Sequence, residues 1–238
     1  MVMKNPLVSV VITTRNEERC LGRTLRALKK QTYRPLEIIV SDAESTDKTV
    51  QVARRFGAKT VVKRTSVPEG RNLGAEKARG EIFVFVDADT MLEEDWVERA
   101  VNDLKKKDVD MVLGVFHPFE KSFRAKITCY MWSDVLPSIL RIFGLKMHGA
   151  PATLALRRTF FAINGGYNGN VKFGDDAEII VRLSKKGNLM WDKKLVARTS
   201  MRRFEKGGYF RWGLFWLIGG LGLIFFGKPP QNDYKVIR

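Results

Sequence analysis

The sequence predicts an α/β fold built on a mostly parallel central sheet flanked by helices. Three observations predict it. Short β-branched apolar runs recur along the first half of the chain. Segments with apolar residues at helical spacing separate them. Such alternation produces βαβ units, whose sheet is covered by helices on both faces.

The elements follow in order. Val8 to Thr14 is nearly continuous in apolar character, as a strand buried on both faces reads. Residues 17–30 carry Leu21, Leu25 and Leu28 on one helical face. Leu36 to Asp42 is a second strand, Thr46 to Phe56 a helix, and Thr60 to Lys63 a short third strand. Pro68 to Ala78 is helical, with proline where a first turn tolerates it. Ile82 to Val86 is a very apolar fourth strand, and Trp96, Val97, Ala100, Val101 and Leu104 form the inner face of the next helix. Residues 110–116 are a fifth strand. Beyond it, Phe116 to Lys146 mixes aromatic and basic residues, and Ala152 to Leu156 fits a strand. Ile163 to Asn170 reads as a glycine- and asparagine-rich loop. Asp175 to Lys186 reads as a helix, acidic at its start and basic at its end, as the helix dipole favours.

The chain has 238 residues, with 45% hydrophobic and 29% charged residues, enough for a sizeable core and unlike a disordered composition. Its formal net charge of +16 points to an anionic partner. The excess lies toward the C-terminal third: Arg182 to Arg211 holds ten Lys or Arg against Asp192 and Glu205. The two cysteines, Cys20 and Cys129, form no CxxC pair, which fits a reducing cytoplasm. The first residues have no signal-peptide pattern, so the catalytic part is expected to face the cytoplasm. Trp212 to Gly227 is uncharged over sixteen residues. As a helix it would span roughly 24 Å, against about 30 Å of hydrocarbon in a bilayer. We expect residues 201–238 to form a basic and apolar C-terminal tail. Its hydrophobic helical run is an interfacial helix, a short membrane span or a buried hairpin, and of these attachment to the cytoplasmic face of a membrane is the favoured expectation.

In open α/β sheets ligands sit at the carboxyl ends of the strands. Three strands end in polar groups there: Thr13 to Glu17, Ser41-Asp42 and Asp87-Ala88-Asp89. Two carboxylates at the end of a buried strand repel each other. A divalent cation removes that cost, and Mg²⁺ or Mn²⁺ prefers carboxylate oxygens while keeping positions for phosphate. Asp87 and Asp89 are therefore the expected metal ligands. Asp42 is placed to accept hydrogen bonds from a base or ribose, with Thr46 or Ser45 capping the following helix. Asp176 shares a helical face with Ile180 and Leu183, so its carboxylate points inward, where a general base belongs.

Other chemistries are disfavoured. No glycine lies between Val8 and Cys20, so the dinucleotide fingerprint is missing. Gly222 to Lys228 has P-loop spacing, but Pro229 stands where Ser or Thr is needed. Only His117 and His148 are present, and no zinc ligand set or Gly-x-Ser-x-Gly elbow is visible.

Five strings, in order over residues 8–186, resemble the family 2 glycosyltransferases of GT-A (Rossmann-like) fold. They are Val8 to Glu17; Ser41 to Thr49; Gly70-Arg71-Asn72-x-Gly74 with Ala78-Arg79-Gly80; Val86 to Thr90; and Ile163 to Tyr167 followed by Asp175-Asp176. The family more often has Pro-Thr-Tyr in place of Thr13-Thr14-Arg15, and Glu-Asp in place of Asp175-Asp176. The resemblance implies an inverting transfer of a sugar from a nucleotide-diphosphate donor to an acceptor hydroxyl or lipid phosphate. It implies that Thr13, Arg15, Glu17 and Asp42 line the nucleoside pocket, with Arg71 and Ala88 beside the donor. Asp87 would approach ribose and metal, Asp89 the metal and diphosphate, and Asp176 would deprotonate the acceptor. Gly166, Tyr167 and Asp175 would face the acceptor or its phosphate. On this division residues 1–115 hold the donor and 116–200 the acceptor.

The basic cluster holding Arg202 and Arg203 would reach donor or acceptor phosphates, or anionic lipid at a membrane surface. A lipid-linked acceptor would match its charge. The competing expectation, motivated by the +16 charge, is a basic nucleic-acid or membrane-surface binding protein without catalysis. On the transferase reading no nucleic-acid partner is expected.

Overall fold

A computed structural model describes residues 5–142, 153–172 and 174–226. Eight strands form one sheet: β1 (Val8–Thr14), β2 (Leu36–Asp42), β3 (Lys59–Val62), β4 (Ile82–Asp87), β5 (Thr90–Leu92), β6 (Met111–Pro118), β7 (Thr153–Arg157) and β8 (Leu189–Thr199). Their order across the sheet is β3-β2-β1-β4-β7-β6-β8-β5. The helices are α1 (Glu18–Lys29), α2 (Thr49–Arg55), α3 (Val67–Lys77), α4 (Trp96–Leu104), α5 (Phe123–Tyr130), α6 (Leu136–Ile142), α7 (Arg158–Ile163), α8 (Asp175–Ser184), α9 (Arg202–Gly207) and α10 (Tyr209–Phe226). A π-helical turn, Met131–Val135, joins α5 to α6.

The period-2 alternation of a strand sends neighbouring side chains to opposite faces. Val8, Val10 and Ile12 of β1, with Val84 and Val86 of β4, pack against α1 and α4. Val11, Phe83 and Phe85 face the other way, onto Ala75 of α3, Phe161 of α7 and Ile180 of α8. Apolar residues therefore dominate these strands, because both faces are covered; the buried Ser9 of β1 is admitted because its hydroxyl donates to Glu37 at 2.7 Å and accepts from the Gly80 N–H at 2.8 Å.

β1 to β4 pair in parallel as expected. The far half differs: β7 runs antiparallel between β4 and β6, and β5 pairs antiparallel with the end of β8. The physical reason is the connection. After β6 the chain passes through α5 and α6 rather than a single crossover helix, and Thr153 to Arg157 enters the sheet from the opposite end.

The helix expected from Thr46 begins instead at Thr49. Residues 43–48 are held as a loop: Asn16 Oδ1 accepts from the Thr46 backbone at 2.8 Å, and Asp47 accepts from the Thr49 backbone at 2.9 Å. Asp47, not Thr46 or Ser45, thus serves the first turn of α2. α3 carries a capping box, with Glu69 accepting from the Ser66 backbone at 2.8 Å.

Among the described residues no helix is long and apolar enough to cross a membrane. His148, the start of the Ala152 strand, and the tail from Gly227 through Lys228 and Pro229 lie outside the described residues.

Candidate active site

Register aligns the strand ends. Thr13 pairs with Ser41 on one side and with Asp87 on the other, and Thr14 pairs with Asp42 one step further. Three polar termini therefore meet at the carboxyl ends of the neighbouring parallel strands β2, β1 and β4. Asp42 is fully buried. It accepts hydrogen bonds from Thr14 Oγ1 at 2.7 Å and from the Ser45 backbone and hydroxyl at 2.8 and 2.6 Å. It orders the loop after β2. Arg15 is exposed, whereas Thr13 and Glu17 are partly covered. Ala88 is buried, and its carbonyl accepts from Thr24 Oγ1 of α1 at 2.7 Å, which fixes the turn between Asp87 and Asp89.

Arg71, on α3, is the centre of the site. It is buried, and its guanidinium donates to Asp87 at 2.9 Å, to Asp175, and to Asp176 with a closest approach of 2.7 Å. It also lies 5.0 Å from the centre of the Tyr167 ring. Burial alone would push Arg71 down, but the carboxylates of Asp175, Asp176 and Asp87 outweigh it and hold the group well above its ordinary value. Burial in turn pushes the Asp176 carboxyl well up; Arg71 opposes this, and the charges of Asp175 and Asp87 add to it. Asp175 is raised for the same reasons. The exposure of the Asp87 side chain, 38% against 6% for Arg71, shows where the cluster opens to a ligand.

A feature not assigned from sequence holds the other wall. Asn72, next to Arg71, donates to the Tyr167 carbonyl at 2.8 Å and accepts from the Tyr167 N–H at 2.9 Å. This pair of hydrogen bonds pins the Gly165-Gly166-Tyr167 turn to α3. Gly166 has φ +63, and a Cβ there would lie 2.7 Å from Asn72 Oδ1, so the position needs glycine on both counts. The signal was present in the string Gly70-Arg71-Asn72, but its partner is 95 residues away.

A second arginine reaches the site through β8. Thr199 pairs with Thr90, directly after Asp89, so the residues following Thr199 emerge beside the Asp87-Ala88-Asp89 turn. Arg202 then meets Glu17 at 2.6 and 2.8 Å, Asp89 at 3.2 Å and Cys20 Sγ at 3.2 Å. Arg203 is exposed, and its charge is felt at Asp89.

Burial and the neighbouring Asp87 charge push the Asp89 carboxyl up to about 6, against the pull of Arg202 and Arg203. Two carboxylates on one turn, one of them held up by burial and like charge, are a donor set that suits Mg²⁺ or Mn²⁺. Among the described residues no group of three or more His, Cys, Asp or Glu gathers as a metal site. Two carboxylates plus donor phosphate oxygens is the usual arrangement for a nucleotide-bound Mg²⁺.

The raised Asp89 value carries a stability consequence. Below about pH 4 the carboxyl is protonated in both states and costs nothing. Between the ordinary value and about 6 the unfolded chain is ionised while the native one still holds its proton, so the native state loses ground as pH rises. Asp89→Asn is therefore expected to stabilise the ion-free protein by ~1–3 kcal/mol at neutral pH. Thermal melts in chelator check it; an unchanged or lower melting temperature in the variant at neutral pH contradicts it.

The family model for glycosyl transferase family 2 matches residues 9–164. Among curated relatives, glycosyltransferase GlyG of Streptococcus pneumoniae is 28% identical over 123 residues, 49% of this chain and 41% of its own. A 4,4'-diaponeurosporenoate glycosyltransferase of Staphylococcus aureus is 27% identical over 184 residues, 68% of this chain and 47% of its own. The matches thus span less than half of the length of these relatives. The mannosyltransferase PcManGT of Pyrobaculum calidifontis, solved with GDP-Man and Mn²⁺, superposes with a TM-score of 0.70 at 23% identity, covering 96% of this chain and 67% of that one.

Proposed function

The chain belongs to glycosyl transferase family 2, and from that premise we propose that it moves a sugar from a nucleotide-diphosphate donor to an acceptor, inverting the anomeric centre. The observation that carries this reading is the joining of β4 to α8 through one buried guanidinium, with Arg71 on Asp87 and on Asp176 together. Carboxylates for a donor and a carboxylate for an acceptor are thereby held as one rigid unit.

Each residue has a task. Residues 1–115 hold the donor, with Thr13, Arg15, Glu17 and Asp42 about the nucleoside. Asp87 and Asp89 hold Mg²⁺ or Mn²⁺, which when bound supplies Lewis-acid stabilisation of the leaving diphosphate. Arg202, set between Glu17 and Asp89, adds fixed positive charge where the diphosphate gains negative charge. Asp176 takes the proton of the acceptor hydroxyl. Its burial raises its affinity for that proton, and Arg71 steadies the carboxylate while it waits. The acceptor oxygen then bonds to the sugar carbon as the bond to phosphate breaks, through a transition state of oxocarbenium character. A single displacement with one base inverts configuration.

Residues 116–200 shape the acceptor side, where Arg71 gathers Tyr167, Asp175 and Asp176 and Gly166 shapes the adjoining turn. The acceptor is proposed to be lipid-linked and presented at the cytoplasmic face of a membrane. The basic C-terminal segment and the relative named for diaponeurosporenoate support this.

A thermal-shift panel of nucleotide sugars with and without Mn²⁺ tests the reading. One donor is expected to stabilise the protein by about 2.7 kcal/mol at a hundredfold excess over its dissociation constant, and only with the ion present. Binding of generic polyanions without a response to any nucleotide sugar would instead favour a non-catalytic basic binding protein.

A further inference from the structure

The +16 charge and the apolar run that begins at Trp212 are not used up by the catalytic cluster. α5 and the π-helical turn leave Phe123, Ile127, Tyr130 and Met131 exposed, at i, i+4, i+7 and i+8. α10 leaves Phe210, Leu214, Leu217 and Ile218 exposed at the same spacing. Phe123 is 77% exposed and Phe210 85%, values that a core residue or a chance surface leucine does not explain.

The two helices belong to one body. Trp132 meets Trp216 edge to face at 5.6 Å, and Phe204 of α9 meets Trp216 at 5.2 Å, over a small core of Phe116, Ala125 and Cys129. Each helix thus buries one side in a shared aromatic seam, and among the described residues nothing covers its other stripe. Around the stripes Lys121, Arg124, Lys126, Arg203, Lys206 and Arg211 are exposed, against the single exposed acid Glu205 in these segments.

We propose that the α5 and α10 stripes with these bases form a platform that docks onto an anionic lipid surface. Long apolar side chains beside Lys and Arg match the two parts of such a surface, acyl boundary and anionic headgroup. A second copy of the chain fits worse, because it would set one +16 body against another. Nucleic acid would match the bases but leave the stripes in water. The platform continues into the site: α9 carries both Phe204, in the seam, and Arg202, on Glu17 and Asp89. A docked protein would therefore meet a lipid-borne acceptor beside its catalytic cluster. The inference rests on the lipid-acceptor part of the proposed function and names the surface that serves it.

The test is co-flotation of the 238-residue chain with phosphatidylcholine vesicles, with and without about one third phosphatidylglycerol. Partition is expected to be at least about tenfold stronger on the anionic vesicles and to weaken with salt. Phe123→Ser with Ile127→Ser, and separately Phe210→Ser with Leu214→Ser, are each expected to lower it by about tenfold. Lys121→Gln with Lys126→Gln is expected to lower it about fivefold per charge removed. All of these side chains are exposed, and an unchanged melting temperature and donor-induced shift confirm that each variant is folded. Equal partition onto neutral vesicles, no partition, or insensitivity to the apolar substitutions overturns the proposal. So does dimerisation that the same substitutions abolish, which would give the face to a second copy. Flotation without donor binding leaves the platform and sinks the transferase reading; donor binding without flotation does the reverse.

Discussion

Asp176→Asn is expected to lower sugar transfer by about 10²- to 10⁴-fold while leaving donor binding in place. The amide keeps the shape of the carboxylate and can still accept from Arg71, but it cannot take a proton. The readout is a split between turnover and donor-induced thermal shift. Neighbouring Asp175 provides the control. Both carboxylates meet Arg71, and burial raises both. Asp176 shares its helical face with Ile180 and Leu183, although the Asp175 side chain is just as covered, 16% exposed against 22%. If Asp175→Asn silences transfer and Asp176→Asn does not, the base is Asp175 rather than Asp176.

Arg71→Met is expected to cost about 3–5 kcal/mol of stability, because it leaves the largely covered carboxylates of Asp175 and Asp176, and the more open Asp87, without their shared partner. The pH dependence follows from the sign of the shifts. Asp175 and Asp176 already have raised values with Arg71 present, and its loss raises them further. The penalty is then full at neutral pH and shrinks as pH falls toward the ordinary carboxylate range, where the unfolded chain is protonated too. Chemical denaturation of both proteins at about pH 7 and about pH 4.5 measures it. A penalty that stays constant across that range would mean Arg71 acts by packing on Tyr167 rather than by charge. Arg71→Lys should recover part of the stability and little of the transfer, since an ammonium cannot fork between β4 and α8.

The stability gain expected for Asp89→Asn and the loss expected for Arg71→Met belong together. One removes a carboxylate that the ion-free protein tolerates at a cost; the other removes the cation that makes such a cluster tolerable. A site that handles a negatively charged donor keeps its own charges poised rather than minimised, and some stability is spent on that.

Much of this protein was legible in its sequence, and for a local reason. A strand covered on both faces must be mostly apolar, so β1, β2 and β4 announced themselves in Val8 to Thr14, Leu36 to Asp42 and Ile82 to Val86. An amphipathic helix must repeat at its own period, so α1 and α4 were read from Leu21, Leu25 and Leu28 and from Trp96 to Leu104. Asp87 and Asp89 were legible because charge at the end of a buried strand is locally anomalous. What the sequence could not decide was pairing across distance. β5 is three residues long, too short for any period, and its partner Thr199 is fixed only by sheet register. Arg71 meets Asp175 across 104 residues, Asn72 meets Tyr167 across 95, and Arg202 meets Glu17 across 185. Periodicity carries which face a side chain takes within its own element. Which charge it meets depends on how those elements stack, and only the tertiary structure decides that, because the energy of a buried ion pair resides in a contact that no single segment contains.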